Sequence, residues 1–280
     1  MIQKAVVAAL LLVLAACAPQ ETAKPGFIIQ LQDAQLSELA ARNISFAVVD
    51  AEKTGWTSEQ LAAFEKPNAT IHVLGFVSVG KAMPERSYWK PEWQSAPPAW
   101  LGDDDGTGQR QVKYWEQDWQ QIIVTQVRQL IEANYSGAFL DDADVHTYWE
   151  EQNFLHTEKL MVELLADVSA YAKGRSAGFL IVVRNGTQLA HDGRFVSAVD
   201  GVSAEEVWYS DNLLKSPRAI TAAEEPLDAL QGKGKLIFAI DYSEKKRAAC
   251  DVYRRAAKKG YYGYVGTQAL GQLVWFDCTS

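Results

Sequence analysis

Eight short runs rich in β-branched and aromatic residues recur along this chain, and helix-favouring stretches separate them. The runs cover residues 27–30, 46–50, 71–78, 137–141, 179–184, 201–205, 236–241 and 263–266. Between them, residues 37–41, 58–65, 118–132, 157–172, 221–230 and 243–259 carry amphipathic or helix-forming patterns. The segment 185–194 after the fifth run allows at most a short helix. Parallel strands need crossovers of about a dozen residues or more, usually helical. Alternation of this kind over about 255 residues is the pattern of a single-domain α/β fold, the (β/α)8 or TIM barrel. The domain is expected over residues 27–280.

The chain begins with an export pattern. Lys4 supplies a positive start, residues 5–14 are apolar, and Leu14-Ala15-Ala16-Cys17 resembles a bacterial lipobox. An apolar run of about a dozen residues is too short to remain as a membrane-spanning helix, which needs ~20. Residues 1–16 are therefore read as a lipoprotein signal peptide, Cys17 as the lipidated residue, and 17–26 as a polar tether. The expected location is the bacterial cell envelope, held to the membrane by lipid, and the outer membrane in a Gram-negative host because Ala18 rather than Asp follows the anchor. An exported compartment permits disulfides, and the two remaining cysteines, Cys250 and Cys278, form a candidate pair.

A formal charge of −8 with no basic run argues against nucleic acid as a partner. No zinc spacing, phosphate loop or Gly-x-Ser-x-Gly occurs, so no metal and no cofactor are expected, and a serine nucleophile has no support. Asp141, Asp142, Asp144 and His146 hold ligand-type atoms but lack a second histidine cluster. The acidic balance favours a cationic ligand such as an amino sugar. A monomer is expected.

The chemistry gathers at strand ends. Gln30, Asp50, Ser78, Asp141, Asn185, Glu205, Asp241 and Thr267 stand at or just beyond the C-terminal ends of the runs, on the face where barrel enzymes keep their sites. Polar loops begin at strand ends for purely structural reasons too, which accounts for about half of these positions. Alternation separates neighbours: Gly137, Phe139 and Asp141 share one face, and Gly201, Ser203 and Glu205 another, with Val202 and Ala204 suited to the helix-packed outside. Asp141 and Glu205 are the preferred catalytic pair, and Asp142, Asp144 and Glu206 are the alternatives if a bulge shifts the register. Two carboxyl groups fit glycosidic-bond cleavage, in which one protonates the departing oxygen while the other attacks the anomeric carbon or activates water. Glu205, with the longer arm, is read as the acid and Asp141 as the nucleophile; the bland alternative is that each caps a helix or binds an arginine. Asp50 and Asp241 are read as touching substrate or supporting the residues that do, and His146 as an incidental loop residue.

The stretch from Gly80 to about Glu116 is long for a barrel loop and carries Trp89, Trp93, Trp100 and Trp115, with Trp119 just beyond. With Tyr148, Trp149, Trp208 and Tyr209 these rings are expected to wall an open groove over the catalytic face, although most indoles of the excursion serve to hold it to the barrel. Asp103-Asp104-Asp105-Gly106 lacks the distal glutamate of a calcium loop and reads as a solvated turn.

Taken in order, Gln30-Leu31-Gln32, Val48-Val49-Asp50, Val77-Ser78-Val79-Gly80, Arg86 with Trp89, Gly137 to Asp141, Asp200-Gly201-Val202 with Glu205 and Tyr209, Asp241-Tyr242, and Gly263-Tyr264-Val265-Gly266 resemble glycoside hydrolase family 114, the endo-α-1,4-polygalactosaminidase-like TIM barrels. The resemblance spans nearly the whole mature chain. It implies internal hydrolysis of an α-1,4-linked, galactosamine-containing polysaccharide without a cofactor, with Asp141 and Glu205 at the positions of the family's acids. Substrate contacts are expected from Gln30, Asp50, Ser78, Lys81, Arg86, Trp89, Asp142, Asp144, Asn185, Glu206, Tyr209, Asp241 and Tyr242. One position departs: the family commonly has Glu directly after Ser-x-Gly, and this chain has Lys81. A cation there opposes a protonated amino sugar. The competing class is a barrel that binds glycan or scaffolds an envelope assembly without turnover.

Overall fold

Each of the eight runs forms a strand, and the eight pair in parallel in chain order. The structure, a computed structural model, describes residues 26–65, 67 and 71–278; Cys17 and the proposed signal and tether before Gly26 lie outside the described residues. The strands are β1 (Phe27–Gln30), β2 (Phe46–Val49), β3 (His72–Ser78), β4 (Gly137–Asp141), β5 (Leu180–Arg184), β6 (Gly201–Glu205), β7 (Leu236–Tyr242) and β8 (Tyr262–Gly266). Gly26 N donates to Gly263 O at 3.0 Å, which brings the first strand against the last and nearly closes a (β/α)8 barrel.

Helices wrap the outside because their apolar residues recur on one face. The helix Gln117–Glu132 buries Trp119, Ile123, Val127 and Leu130, and Lys246–Lys259 buries Ala248, Ala249, Val252, Tyr253 and Ala256. After β5 the chain makes a 3-10 turn, Thr187–His191, and a helix, Gly193–Ala198, capped by the Asp192 side chain on Arg194 N. Pro217 opens the helix Pro217–Gly232, with Ser216 as its cap.

The lower barrel is filled by an aromatic plug. Phe27 and Phe46 meet Phe238 edge-on at 5.1 and 5.0 Å, and Tyr262 stacks on Phe238 at 5.2 Å. Gly201 makes room for it, since a Cβ there would stand 2.9 Å from the Leu236 Cβ and 3.1 Å from the Phe238 ring. The floor is thus closed and the opposite end is left to the strand-end polar groups.

The long excursion has regular structure of its own. Lys81–Ala82, Leu101–Asp104 and Arg110–Val112 form a small antiparallel sheet, and Pro91–Gln94 is a 3-10 turn. Its indoles run in a chain of contacts, Trp89 to Trp93, Trp93 to Trp100 and Trp100 to Trp119, at 5.5, 5.0 and 5.0 Å. Trp119 Nε1 donates to Val79 O, which ties together the segments flanking the excursion, and Trp149 Nε1 donates to Val112 O, which holds the excursion itself. Cys250 and Cys278 are disulfide-bonded with Cα atoms 5.5 Å apart, tying the C-terminal segment to the helix Lys246–Lys259.

Candidate active site

The register of the parallel ladder sets the first row of the site. Ser78 of β3 lies opposite Asp141 of β4, and Arg184 of β5 lies opposite Ser203 of β6, two residues before Glu205. Residues at i and i+2 share a face, so Asp141, Arg184 and Glu205 converge over the barrel mouth. Arg184 spans the pair: Nη1 donates to Asp141 Oδ2 at 2.8 Å and Nη2 to Glu205 Oε1. Nη2 also lies 3.3 Å from the Tyr242 hydroxyl. The second oxygen of Glu205 accepts from Asn185 Nδ2 at 2.8 Å, and the second oxygen of Asp141 accepts from Asp142 N at 2.8 Å.

Three consecutive strands end in the same unusual way. Asp142, Asn185 and Glu206 follow the last residues of β4, β5 and β6 directly, and all have left-handed backbone, with φ of 59°, 56° and 49°. Asn and Asp tolerate this conformation, but a glutamate pays roughly 1–2 kcal/mol for it. Each turn reverses the chain just beyond Asp141, Arg184 or Glu205. Gly80 allows the β3 end to close on the first of these turns, since a Cβ there would stand 2.2 Å from the Asp142 carbonyl oxygen.

Behind Asp141, Asp142 accepts from the Ser78 hydroxyl at 2.6 Å and faces Lys81 Nζ at 3.6 Å. Lys81 Nζ donates to Asp105 Oδ2 at 2.9 Å. On the other side Asp50 accepts from Arg86 Nη1 at 2.7 Å and from Glu52 N at 3.2 Å, and the Arg86 guanidinium lies over the Phe76 ring. Asp50, Phe76, Lys81, Arg86, Asp105, Asp141, Asp142 and Arg184 line a cleft of about 570 Å³ that also takes in Leu31, Gln32, Thr107, Gln109 and Gln268.

Burial governs the electrostatics. It pushes the Asp141 carboxyl up to about 7, the Asp142 charge adds to this, and Arg184 opposes it. Asp142 is also raised by burial, against the Ser78 hydrogen bond and Lys81, and Asp144 by burial and by Asp141. For Arg184, burial works against the charged form but Asp141 and Glu205 outweigh it, so the guanidinium stays protonated. The mouth therefore holds an acid that titrates near neutrality beside a fixed cation, an arrangement typical of functional sites.

Several expected site residues face elsewhere. β7 continues to Tyr242, whose hydroxyl reaches Arg184, so alternation turns the neighbouring Asp241 to the other face of the barrel wall. There Asp241 Oδ1 accepts from the backbone N–H groups of Trp208 and Tyr209 at 2.9 and 2.7 Å, while burial pushes its carboxyl up to about 7. Tyr209 donates its hydroxyl to Asp251 on an outer helix, and Trp208, fully buried, donates to Glu224. Glu206 accepts from Ser210 and its carbonyl from Lys215, again outside the mouth. Gln30 is buried and donates to Gln32 O. Trp89 packs on Trp93, and His146 is buried beside Gln188. The expected aromatic wall is thus corrected: Phe76 is the aromatic residue lining the cleft, and Trp100, Trp149 and Trp208 are buried.

Two residues of the site escaped sequence reasoning. Arg184 ends the fifth run, and a cation closing an otherwise apolar inner strand was the available signal. Asp105 was read as part of a solvated turn. Asp104 does fill that role, accepting from Gly106 N at 2.6 Å, but Asp105 turns into the cleft.

The model of glycoside-hydrolase family GH114 matches residues 13–279. The chain belongs to that family and is a glycosidase. An uncharacterized protein of Methanocaldococcus jannaschii is 28% identical over 256 residues, 84% of this chain and 73% of its own length. One from Thermotoga maritima is 27% identical over 87% of this chain and 81% of its own length. Among solved structures, the glycoside hydrolase domain of PelA from Pseudomonas aeruginosa superposes with a TM-score of 0.72 at 17% identity, over 91% of this chain and 98% of that one. Aspergillus fumigatus Ega3, in complex with galactosamine, superposes with a TM-score of 0.65 at 15% identity, over 90% and 94%. These GH114 and hydrolase-domain likenesses agree with the barrel described above.

Proposed function

We propose that this GH114 barrel cleaves an α-1,4-linked, galactosamine-containing polysaccharide internally, with Glu205 as proton donor and Asp141 as nucleophile. The observation that carries the reading is Arg184, one guanidinium bound to both carboxylates at the end of the barrel where such enzymes work. Its span keeps the two acids within reach of a single glycosidic bond, which suits direct attack by Asp141 better than insertion of a water between the groups. Glu205, released from Arg184 and protonated as the substrate binds, gives its proton to the departing oxygen as Asp141 bonds to the anomeric carbon. Water then gives a proton back to Glu205 and displaces Asp141. Asp141 is held up to about 7 by burial and by Asp142. Positive charge developing at the anomeric carbon favours its ionised form, so the environment that disfavours the charge at rest strengthens it in the transition state. Ega3, with its bound galactosamine, supports the sugar class.

The test is mass spectrometry of products after incubation with α-1,4-linked galactosamine polymers, both free-amine and N-acetylated, and a panel of unrelated polysaccharides. Internal fragments from the galactosamine polymers alone are expected. Cleavage of another polymer in preference, or of none, refutes the substrate assignment, and release of monomers alone refutes endo action.

We further propose that the enzyme is carried on the cell envelope by a lipid at Cys17, on the strength of the lipobox and polar tether. Among the described residues no helix is long and apolar enough to cross a membrane. Cys17→Ser should release the protein to the soluble fraction; unchanged fractionation, with no acyl mass on the wild-type N-terminus, refutes the anchor.

A further inference from the structure

Among the described residues that line the cleft, every carboxylate except the exposed Glu85 already has a cation of this chain against it. Asp50 has Arg86 at 2.7 Å and Lys53 at 3.8 Å. Asp141 has Arg184 at 2.8 Å. Asp105 and Asp142 share Lys81, whose Nζ stands 2.9 Å from the first and 3.6 Å from the second. Their other oxygens are occupied as well: Asp142 Oδ2 takes the Ser78 hydroxyl at 2.6 Å, and Asp105 Oδ1 takes the Thr107 N–H at 2.9 Å and its hydroxyl at 2.6 Å.

The consequence concerns the charge of the sugar. Lys81 presents an alkylammonium, the same group that an unacetylated hexosamine carries at neutral pH. A sugar ammonium arriving at this wall meets a like charge and finds the flanking carboxylates already paired with Lys81. To bind, it must displace Lys81, whose side chain is 25% exposed and held from two sides. In a partly desolvated cleft that repulsion is screened far less than in water. An uncharged substituent fares differently, because an acetamido or hydroxyl oxygen can accept from the ammonium without breaking either ion pair.

We infer that Lys81 is a specificity-determining residue that makes this cleft a site for uncharged sugar units, and within the galactosamine polymer proposed above for N-acetylated rather than free-amine units. The identity of the sugar rests on that proposal; the preference for neutral over cationic units rests on the ion pairs alone.

Binding to the Glu205→Gln variant by calorimetry, at a pH where free amines are protonated, separates the two. The probes are equal-length α-1,4-linked oligomers of galactosamine, of N-acetylgalactosamine and of a neutral hexose. The N-acetylated oligomer should bind tighter than the free-amine one by on the order of tenfold to a hundredfold. Adding Lys81→Met should shrink that ratio by about tenfold or more, and adding Asp105→Asn should widen it, because one change removes a cation and the other removes its counter-charge. General loosening of the fold would not move the ratio in opposite directions. Equal or tighter binding of the free-amine oligomer, a ratio that Lys81→Met leaves unchanged, or no binding of any probe overturns the inference. Binding of the neutral hexose alone would leave the charge preference standing and overturn the galactosamine assignment.

Discussion

Replacing Arg184 by Met tests the electrostatic design of the mouth. The side chain is 13% exposed and contacts Asp141 at 2.8 Å, Glu205 on its other nitrogen, and the Tyr242 hydroxyl at 3.3 Å. Each ion pair has a gross attraction of about 4 kcal/mol at the effective dielectric of a partly buried site, offset by the cost of desolvating the charges. Methionine fills a similar volume but leaves two carboxylates facing one another, and stranding buried charge in this way costs about 3–5 kcal/mol. The loss must depend on pH. Without the guanidinium Asp141 gains proton affinity in the folded state, and it begins from about 7 already. The folded variant takes up protons as the pH falls, so its deficit relative to wild type is largest near pH 8 and shrinks towards pH 5. Denaturant unfolding of both proteins at pH 5, 6.5 and 8 measures this directly, and Arg184→Lys, which keeps charge but loses the fork, should fall between them. A deficit under about 1 kcal/mol at pH 8, or one that is flat with pH, would show that Arg184 is not the compensating charge.

Asp141→Asn and Glu205→Gln should each lower kcat about 10²–10⁴-fold with the fold intact; near-wild-type turnover in either removes that residue from its role. If Asp141 attacks as the anion, kcat/KM should rise with pH through about 7, and Asp142→Asn should move that limb to lower pH by removing one of the charges that raises it; an unmoved limb contradicts the assignment. Asp241→Ala strips the acceptor from the Trp208 and Tyr209 N–H groups and should cost about 2 kcal/mol, while Asp241→Asn keeps an acceptor and should cost less; equal losses by denaturant melts would contradict the anchoring role. Replacing both Cys250 and Cys278 by Ser should lower stability by ~3 kcal/mol, read from the same melts, and no change would mean that the C-terminal tie contributes nothing.

The order and bounds of the barrel strands were legible in the chain because strand and helix periodicity is local. The eight runs agree with the observed strands to within a residue or two at each end, and helices such as Gln117–Glu132 follow from apolar spacing alone. Alternation also aimed Glu205 inward, since Val202 and Ala204 suited the helix-packed outside. At the end of β7 the same argument had no purchase. Asp241 and Tyr242 are both polar-tipped, and only the continuation of the strand to Tyr242, seen in its pairing with Gly266, turns the tyrosine to the mouth and the aspartate away from it. Nor did local pattern identify partners. Arg184 meets carboxylates 43 and 21 residues away because β5 lies between β4 and β6, and Lys81 meets Asp105 because an antiparallel sheet folds the excursion back on its own start. The indoles that composition offered as a sugar-binding wall pack against one another instead, Trp93 on Trp100 and Trp100 on Trp119. Burial and charge pairing depend on what distant segments bring within a few ångströms, so the tertiary structure alone decided which acids share a cation and which of them titrates near neutrality.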